Sequence, residues 1–597
     1  MDKLFTMNTA AYADVPFVNG YEYTQGSGYV LPEFPFQAPP ELKTGDVPLH
    51  PIVIVGGGIT GLTLACCLAR LGQKAILLDE DNTVGVKGAS SRGICYTQKS
   101  LEIFHRLGIY DAIAAKGTRW SVGRTFAGED EVYSFDLSQQ ANFNLSTQPP
   151  FINIQQFYIE GFLAERTLQL GHVDLRWQSR VTAFTQNDAF ATLSIATPEG
   201  SYAVKALHVI DASGAHTPLR AWCGASVTAK KGDDRWCIAD VRFSKKPPVE
   251  RHTWVEAPFN ENRAVWQHLM ADDVWRIDYQ MAPNSDPAEV SREEVVRERL
   301  TRQFGPDTEV EIVWVGPYAY RSECIDRMRH GRVFFMGDAA KVVSPFGARG
   351  GNTGVADADN LAWKLAAVLR GQASERLLTS YHEERHEAAT ENVRVTNRTA
   401  RFLRPADGIE RVFRNATIAL AKRFPFARPL VNTGRMAVAN SYHFSSVCSN
   451  TGKSEGGFSL QNIAFQWRRS PQQARAGSAS PAVGTLNDLL LWARGAHLVL
   501  VFGQISTTLA NQLQAFSRAA PVLTVQVLAH GEKPQALEHL YDETADRRNA
   551  LREACGIAMP KGTATPWALI RPDAYVAATG QAVNAGLVQA IQRSLGI

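Results

Sequence analysis

Two glycine-rich turns, each reached from an apolar run and each accompanied by a carboxylate, carry the clearest chemical pattern in the chain. The first is Gly56-x-Gly58-x-x-Gly61, directly after the apolar run 52–55. Its spacing suits a diphosphate. Gly56 permits a tight turn, Gly58 lets phosphates approach the backbone, and Gly61 lets the next helix pack closely on the strand. That helix opens with Ile59 and Thr60, so its free N–H groups and positive dipole end face an anion. A second apolar run, 75–78, ends at Asp79-Glu80, where an acidic side chain accepts hydrogen bonds from a ribose. Asp79 is the better placed, with Glu80 one register step away as the alternative. The other turn lies in "RVFFMGDAAKVVSPFGARGGNTG", residues 332–354. There an apolar run stops at Gly337-Asp338, leaving a carboxylate at a strand tip with Lys341 three residues on. The first turn indicates dinucleotide binding without separating FAD from NAD.

Those residues need strands and helices to hold them, and the sequence supplies them in order. From Pro51 the pattern is strand, turn, helix, strand, with further apolar strands in "LHVIDASG" and "RVFFMGDAA". Between about residues 230 and 315 it changes to alternating strands such as "WCIADVRFS" and "VWRIDYQMAP", which predicts a mostly antiparallel inserted sheet. Long helical stretches follow Asp359. After the Ser/Ala/Gly/Pro stretch "RRSPQQARAGSASPAVG", strands alternate with helices again. The expected organisation is an extended aromatic-rich arm over 1–50 and the first part of a dinucleotide-binding domain over 51–229. A substrate-binding sheet over 230–315 and the second part of that domain with covering helices over 316–440 come next. A linker and small α/β domain over 441–597 end the chain.

Composition agrees. A chain of 597 residues, 45% hydrophobic and 20% charged, has room for several cores. A net charge of +3 gives no reason to expect nucleic acid as a partner. Eight scattered cysteines without a Cys-x-x-Cys pair fit buried thiols in a reducing compartment. With no signal-like h-region and no run of membrane-spanning length, a cytoplasmic protein without a membrane span is expected. No metal-ligand spacing is present.

The segment "RVFFMGDAA…PFGARGGNTGVADADNLAWKLA" resembles the flavin-binding segment of the class A flavoprotein aromatic hydroxylases, the para-hydroxybenzoate and phenol hydroxylase group. "SSRGICYTQKSLEIFHRLGI" and "FINIQQFYIEGFLAER" extend the resemblance, and the C-terminal region is similar to the thioredoxin-like domain of the larger members. The implied fold is a Rossmann-like FAD domain with an inserted antiparallel sheet and a thioredoxin-like α/β domain. The implied chemistry is FAD reduction by NADPH or NADH, O2 addition as a flavin C4a-hydroperoxide, and hydroxylation of a phenolic ring. By this resemblance Asp338 meets the ribityl chain, and the amides of Gly350, Gly351 and Asn352 meet the isoalloxazine edge. Arg92 and Gln156 lie near the FAD, and Pro345 lies beside the reacting edge. A homodimer through the C-terminal domain is also implied. The alternatives are a flavin enzyme acting on a polycyclic or non-phenolic substrate, and a non-catalytic flavin-binding module.

Substrate contacts are expected from the inserted sheet: Trp266, His268, Arg276, Tyr279, Gln280, Tyr318 and Tyr320. A His or Tyr would deprotonate a phenol and Arg276 would hold a carboxylate. Two positions depart from the family pattern. Ser213 stands where relatives carry Asp, with Asp211 two residues earlier. Lys341 stands where they usually carry His, and is either turned toward the flavin or solvated.

Overall fold

The strand Leu49–Val55 (β1) is buried from Ile52 onward and takes the centre of a sheet, as a strand without a polar face must. This computed structural model describes residues 31–85, 93–283, 285–405, 408–431, 437–449, 456–468, 482–529, 531–534, 537–544, 547–558 and 564–597. Parallel neighbours flank β1: Gly200–Asp211 on one side and Ala75–Leu78 (β2) on the other. The helix Ile59–Arg70 (α1) connects β1 to β2. Val173–Arg176 continues the sheet beyond β2, and Val333–Phe335 pairs in parallel with Gly200–Asp211. Strands far apart in the chain thus bring residue 55 and residue 337 to the same sheet end, where ligands bind in open α/β sheets.

Above that end lies a second, eight-stranded sheet. Its core strands are Val227–Phe243 (β3), Arg251–Ala257 (β4), Arg263–Leu269 (β5), Trp275–Gln280 (β6) and Val310–Ile325 (β7). The order is Lys341–Val342, β7, β3, β6, β5, β4, Val122–Ala127 and Asp130–Asp136. All pairings are antiparallel except β4 with Val122–Ala127. The sheet is wider than the stretch 230–315, because Val122–Ala127 and its hairpin partner join from an earlier part of the chain. The alternation is clean. Cys237, Ala239, Val241, Trp275, Ile277 and Tyr279 turn to one face and pack with Val296 and Leu300 of the helix Glu293–Phe304. Residues one step away face the first sheet.

Two helices cover the β1 end: Gly350–Leu369 (α2), packed against α1, and Arg376–Leu403 (α3). A third, mixed sheet is built entirely beyond residue 463, in the order Ala482–Thr485, Ala464–Arg468, Glu538–Tyr541, Val522–Leu528, His497–Phe502, Trp567–Ile570 and Val576–Gly580. A fully buried ionic cluster ties it to the covering helices: Lys364 of α2, Glu384 of α3, and Arg571 with Asp573. All eight cysteines are free thiols. Most of the expected N-terminal arm, 1–30, lies outside the described residues. Of its remainder, Leu31 is buried and Phe34 stacks on Trp177 with ring centroids 4.3 Å apart. Among the described residues, no helix is long and apolar enough to cross a membrane.

Candidate cofactor and substrate site

One cavity of about 740 Å³ runs from the first glycine turn, past the second, to the inner face of the upper sheet. Gly56, Gly58, Ile59, Thr60, Asp79, Glu80, Gln156, Asp338, Pro345, Gly350, Gly351 and Asn352 all line it. Arg92 lies outside the described residues. Gly61 does not line the cavity. A Cβ there would sit 1.9 Å from the Gly56 carbonyl oxygen, so this glycine serves the close packing of α1 on the turn. Gly56 has a φ of 107°, which a side chain would strain. Thr60 lies between the two turns: a Cβ on Gly337 or Gly354 would strike its side-chain oxygen at 2.6 or 2.2 Å.

Gly58, Gly350 and Gly351 differ from these. The nearest atom to a Cβ on Gly58 is Glu160 Oε1 at 3.8 Å, on Gly350 a Val343 methyl at 3.9 Å, and on Gly351 nothing within 4 Å. The protein itself leaves these glycines room for side chains, so the bare backbone is a cradle for something that approaches it. Hydrogen bonds hold the cradle's shape. Gly57 N–H donates to Asp79 Oδ2 at 2.5 Å and Asp81 N–H to its Oδ1 at 2.8 Å. Asp79 therefore shapes the turn as well as lining the cavity, while Glu80 is exposed. Gln156 accepts from Gly93 N–H (3.1 Å) and donates to Glu160 (2.8 Å), whose Oε1 also accepts from Ile59 N–H (2.9 Å). Burial pushes Glu160 up to about 7, against the pull of these hydrogen bonds.

At the second turn, α2 begins at Gly350. Asn352 binds with both ends of its amide, accepting from Thr97 N–H (3.0 Å) and donating to the Cys95 and Ala348 carbonyls (2.8 and 2.7 Å). Arg220 donates to the carbonyl oxygens of Asp338 and Ala339 at 2.8 and 2.7 Å, fixing the backbone around the Asp338 carboxylate. Ser213 lines the cavity, with its hydroxyl donating to Asp211 at 2.6 Å. Asp211 also accepts from Thr217 and is fully buried, so it does not take the place of the Asp that relatives carry at position 213. Lys341 is neither turned to the cavity nor solvated. It is buried in an ion pair with Asp357.

The inner face of the upper sheet closes the cavity with Ile238, Arg251, Trp266, His268, Arg276, Asp278 and Tyr318. Arg276 is not available as expected to hold a substrate carboxylate, because it grips the fully buried Asp240 through Nε and Nη2 at 2.9 and 3.2 Å. Tyr279 is corrected too: it points to the opposite face and donates to Gln303. Gln280 faces inward but is absorbed in structure, accepting from Ala264 N–H at 3.1 Å. Tyr320 lies on β7, and its side chain is not described. Burial, reinforced by Arg251 and Arg276, keeps His268 neutral. Sequence reasoning missed Arg251, Glu160 and Asp278. A signal for Asp278 was available, since period two from Arg276 leads to it.

The glycine cradle, the anion-facing helix start and the carboxylates at both strand tips fit FAD. Known proteins agree. Residues 50–396 match the family described as FAD binding domain. A 3-(3-hydroxy-phenyl)propionate/3-hydroxycinnamic acid hydroxylase of Mycolicibacterium smegmatis is 26% identical over 397 residues, 66% of this chain and 69% of the relative. Its namesake from Burkholderia cenocepacia is 25% identical over 91% of this chain and 96% of its own. The solved structure of the flavin-dependent monooxygenase PieE, in complex with FAD and substrate, shares the fold. Its TM-score is 0.72 at 20% identity, over 92% of this chain and 98% of that one. The carboxylates, glycines and matched span thus have one common explanation: the chain belongs to the FAD-binding-domain family of class A flavoprotein aromatic hydroxylases.

Proposed function

We propose that the protein is a monooxygenase that uses FAD, O2 and NADPH or NADH to hydroxylate a phenolic or related aromatic compound. The observation that carries this reading is the continuity of one cavity from the nucleotide-type turn to a polar roof. FAD, when bound, supplies the redox chemistry and oxygen activation. The chain's own residues do the rest. The Gly56–Gly58 backbone and the start of α1 hold the diphosphate. Asp79 or Glu80 takes the adenosine ribose, and Asp338 the ribityl hydroxyls. The N–H groups of Gly350, Gly351 and Asn352, backed by the α2 dipole, would hold the ring's polar edge and favour negative charge there. Pro345 and the roof exclude water from the reacting edge.

The reading includes a cytoplasmic location, supported by eight free thiols of which six are buried, and a thioredoxin-like C-terminal unit in a homodimer, supported by resemblance. A polycyclic substrate is the second reading, favoured by the 28% identical relative named as a 12-dehydrotetracycline 5-monooxygenase/anhydrotetracycline 6-monooxygenase, from Streptomyces rimosus. Purified protein should be yellow with bound FAD. One of a panel of phenols should accelerate its NAD(P)H oxidation and gain one labelled oxygen from isotopic O2. Colourless protein that takes up no FAD would end both readings. Failure of every phenol but success of a fused-ring compound would select the second.

A further inference from the structure

We infer that Asp278, on the cavity face of β6, takes the hydroxyl proton of a phenolic substrate, and that Arg251 faces the charge left on the ring oxygen. The inference rests on the cavity being an aromatic hydroxylase site and names the base within it.

The roof carries two carboxylates on one face, and they differ in what holds them. Asp240 is locked by Arg276 and does not line the cavity. Asp278 lines it, is nine-tenths buried, and its Oδ1 has no hydrogen-bond partner among the described residues. A buried carboxylate oxygen left in that state is costly, and a ligand O–H is the group that relieves it. The surroundings suit a ring. Asp278 stands opposite Trp266 on β5 and Ile238 on β3, so an indole and an aliphatic side chain flank it. A substrate carboxylate finds Arg276 already paired, whereas an uncharged hydroxyl finds an acceptor.

The charged and titratable groups around Asp278 are Arg276 on its own strand, Asp240 from β3, Arg251 from β4, His268 from β5 and Tyr318 from β7. Burial pushes Asp278 up to about 7, with Arg276 and Arg251 pulling down and Asp240 pushing further up. A base poised near neutrality is effective at neutral pH. In the step, the substrate O–H bond breaks and an H–Oδ bond forms on Asp278. The negative charge passes from carboxylate to phenolate, and no electrons change hands. Arg251, whose guanidinium lies 4.9 Å from the Trp266 ring centroid, borders the same space. The phenolate ring is the more electron-rich, which is what electrophilic hydroxylation requires.

The test uses the FAD-loaded full chain and para-nitrophenol, whose phenolate alone absorbs visible light, below the probe's own pKa. Wild-type protein should ionise the bound probe. Asp278→Asn should retain FAD and bind the probe un-ionised, and Asp278→Glu should partly restore ionisation. With the best phenol of the panel, Asp278→Asn should lower kcat/KM by about 10²-fold or more and remove the acid limb of its pH profile. Ionisation by Asp278→Asn as complete as wild type, or an unchanged pH profile, overturns the inference and leaves the proposed function standing. A wild-type protein that binds no phenol overturns both.

Discussion

Lys341 Nζ lies 2.5 Å from Asp357 Oδ2, with the two side chains 1% and 0% exposed. The same Asp357 oxygen accepts from Gly337 N–H at 3.0 Å, and its other oxygen accepts from Arg385 Nε at 2.6 Å. One carboxylate on α2 therefore pins the turn that presents Asp338, and Lys341 serves the site at one remove.

Lys341→Met should leave Asp357 with one cation instead of two. Burial works against the Asp357 charge, but Lys341 and Arg385 outweigh it and hold the carboxyl below its ordinary range. Loss of one partner of a buried pair costs about 3–5 kcal/mol, and the remaining Arg385 favours the lower end. Urea unfolding followed by flavin fluorescence should show a lower midpoint with earlier FAD release. Substrate preference should not change, because Lys341 does not border the cavity. A changed substrate preference at unchanged stability would put Lys341 in a different role.

Gly58→Ala and Gly61→Ala should separate two meanings of glycine. A Cβ at 61 meets backbone at 1.9 Å, while one at 58 meets only a side-chain oxygen at 3.8 Å. Gly61→Ala should therefore lower thermal stability even without cofactor. Gly58→Ala should keep the apoprotein's melting temperature and lose FAD content. Equal loss of apoprotein stability in both would mean that the Gly58 backbone has no ligand to accommodate.

This difference also marks what could be read from the sequence. Glycine spacing dictates backbone shape locally, so the first turn, its helix and the acid after β2 were legible. Side-chain direction in the roof was less so. Tyr279 and Gln280 are neighbours on one strand, so the pleat turns them to opposite faces and only Gln280 faces inward. Lys341 was illegible for another reason: its partner, Asp357, comes from α2, and nothing in "DAAKVV" announces it. Val122–Ala127 was hidden likewise, joining the roof by a parallel pairing with the distant β4.

Ser213→Asp installs the residue that the family resemblance leads one to expect, and here it should harm. The Ser213 hydroxyl donates to Asp211 at 2.6 Å, and burial already pushes Asp211 above its ordinary range. A carboxylate at 213 removes a donor and sets a like charge beside a buried one, costing about 1–3 kcal/mol. The melting temperature should fall at pH 8 and recover partly at pH 5, where one of the two carboxyls takes a proton. A gain in NAD(P)H affinity without loss of stability would contradict this account.

The C-terminal sheet should prove inseparable from the FAD-binding part because of Glu384. Its carboxylate accepts from Lys364 at 2.7 Å, Asn360 at 2.6 Å, Ser445 at 2.6 Å and Arg571, which also binds Asp573. Arg571 and Asp573 come from the far sheet's Trp567–Ile570 and Val576–Gly580 hairpin. Burial opposes the Glu384 charge, but Arg571 and Lys364 overcome it and hold the carboxyl well below its ordinary 4.5. A depressed carboxylate contributes stability that is present above that ordinary value and lost as pH falls through the folded one. Glu384→Gln should cost about 3–5 kcal/mol at pH 7, and its difference from wild type should shrink in strong acid. Limited proteolysis of Glu384→Gln at pH 7 should release the C-terminal part from a flavin-bearing remainder. Cleavage no faster than in wild type, with an unchanged unfolding midpoint, would mean that the other contacts between the two, among them Arg106 donating to Asn487 at 3.1 Å and Asn462 N–H to Glu102 at 2.8 Å, suffice to join them.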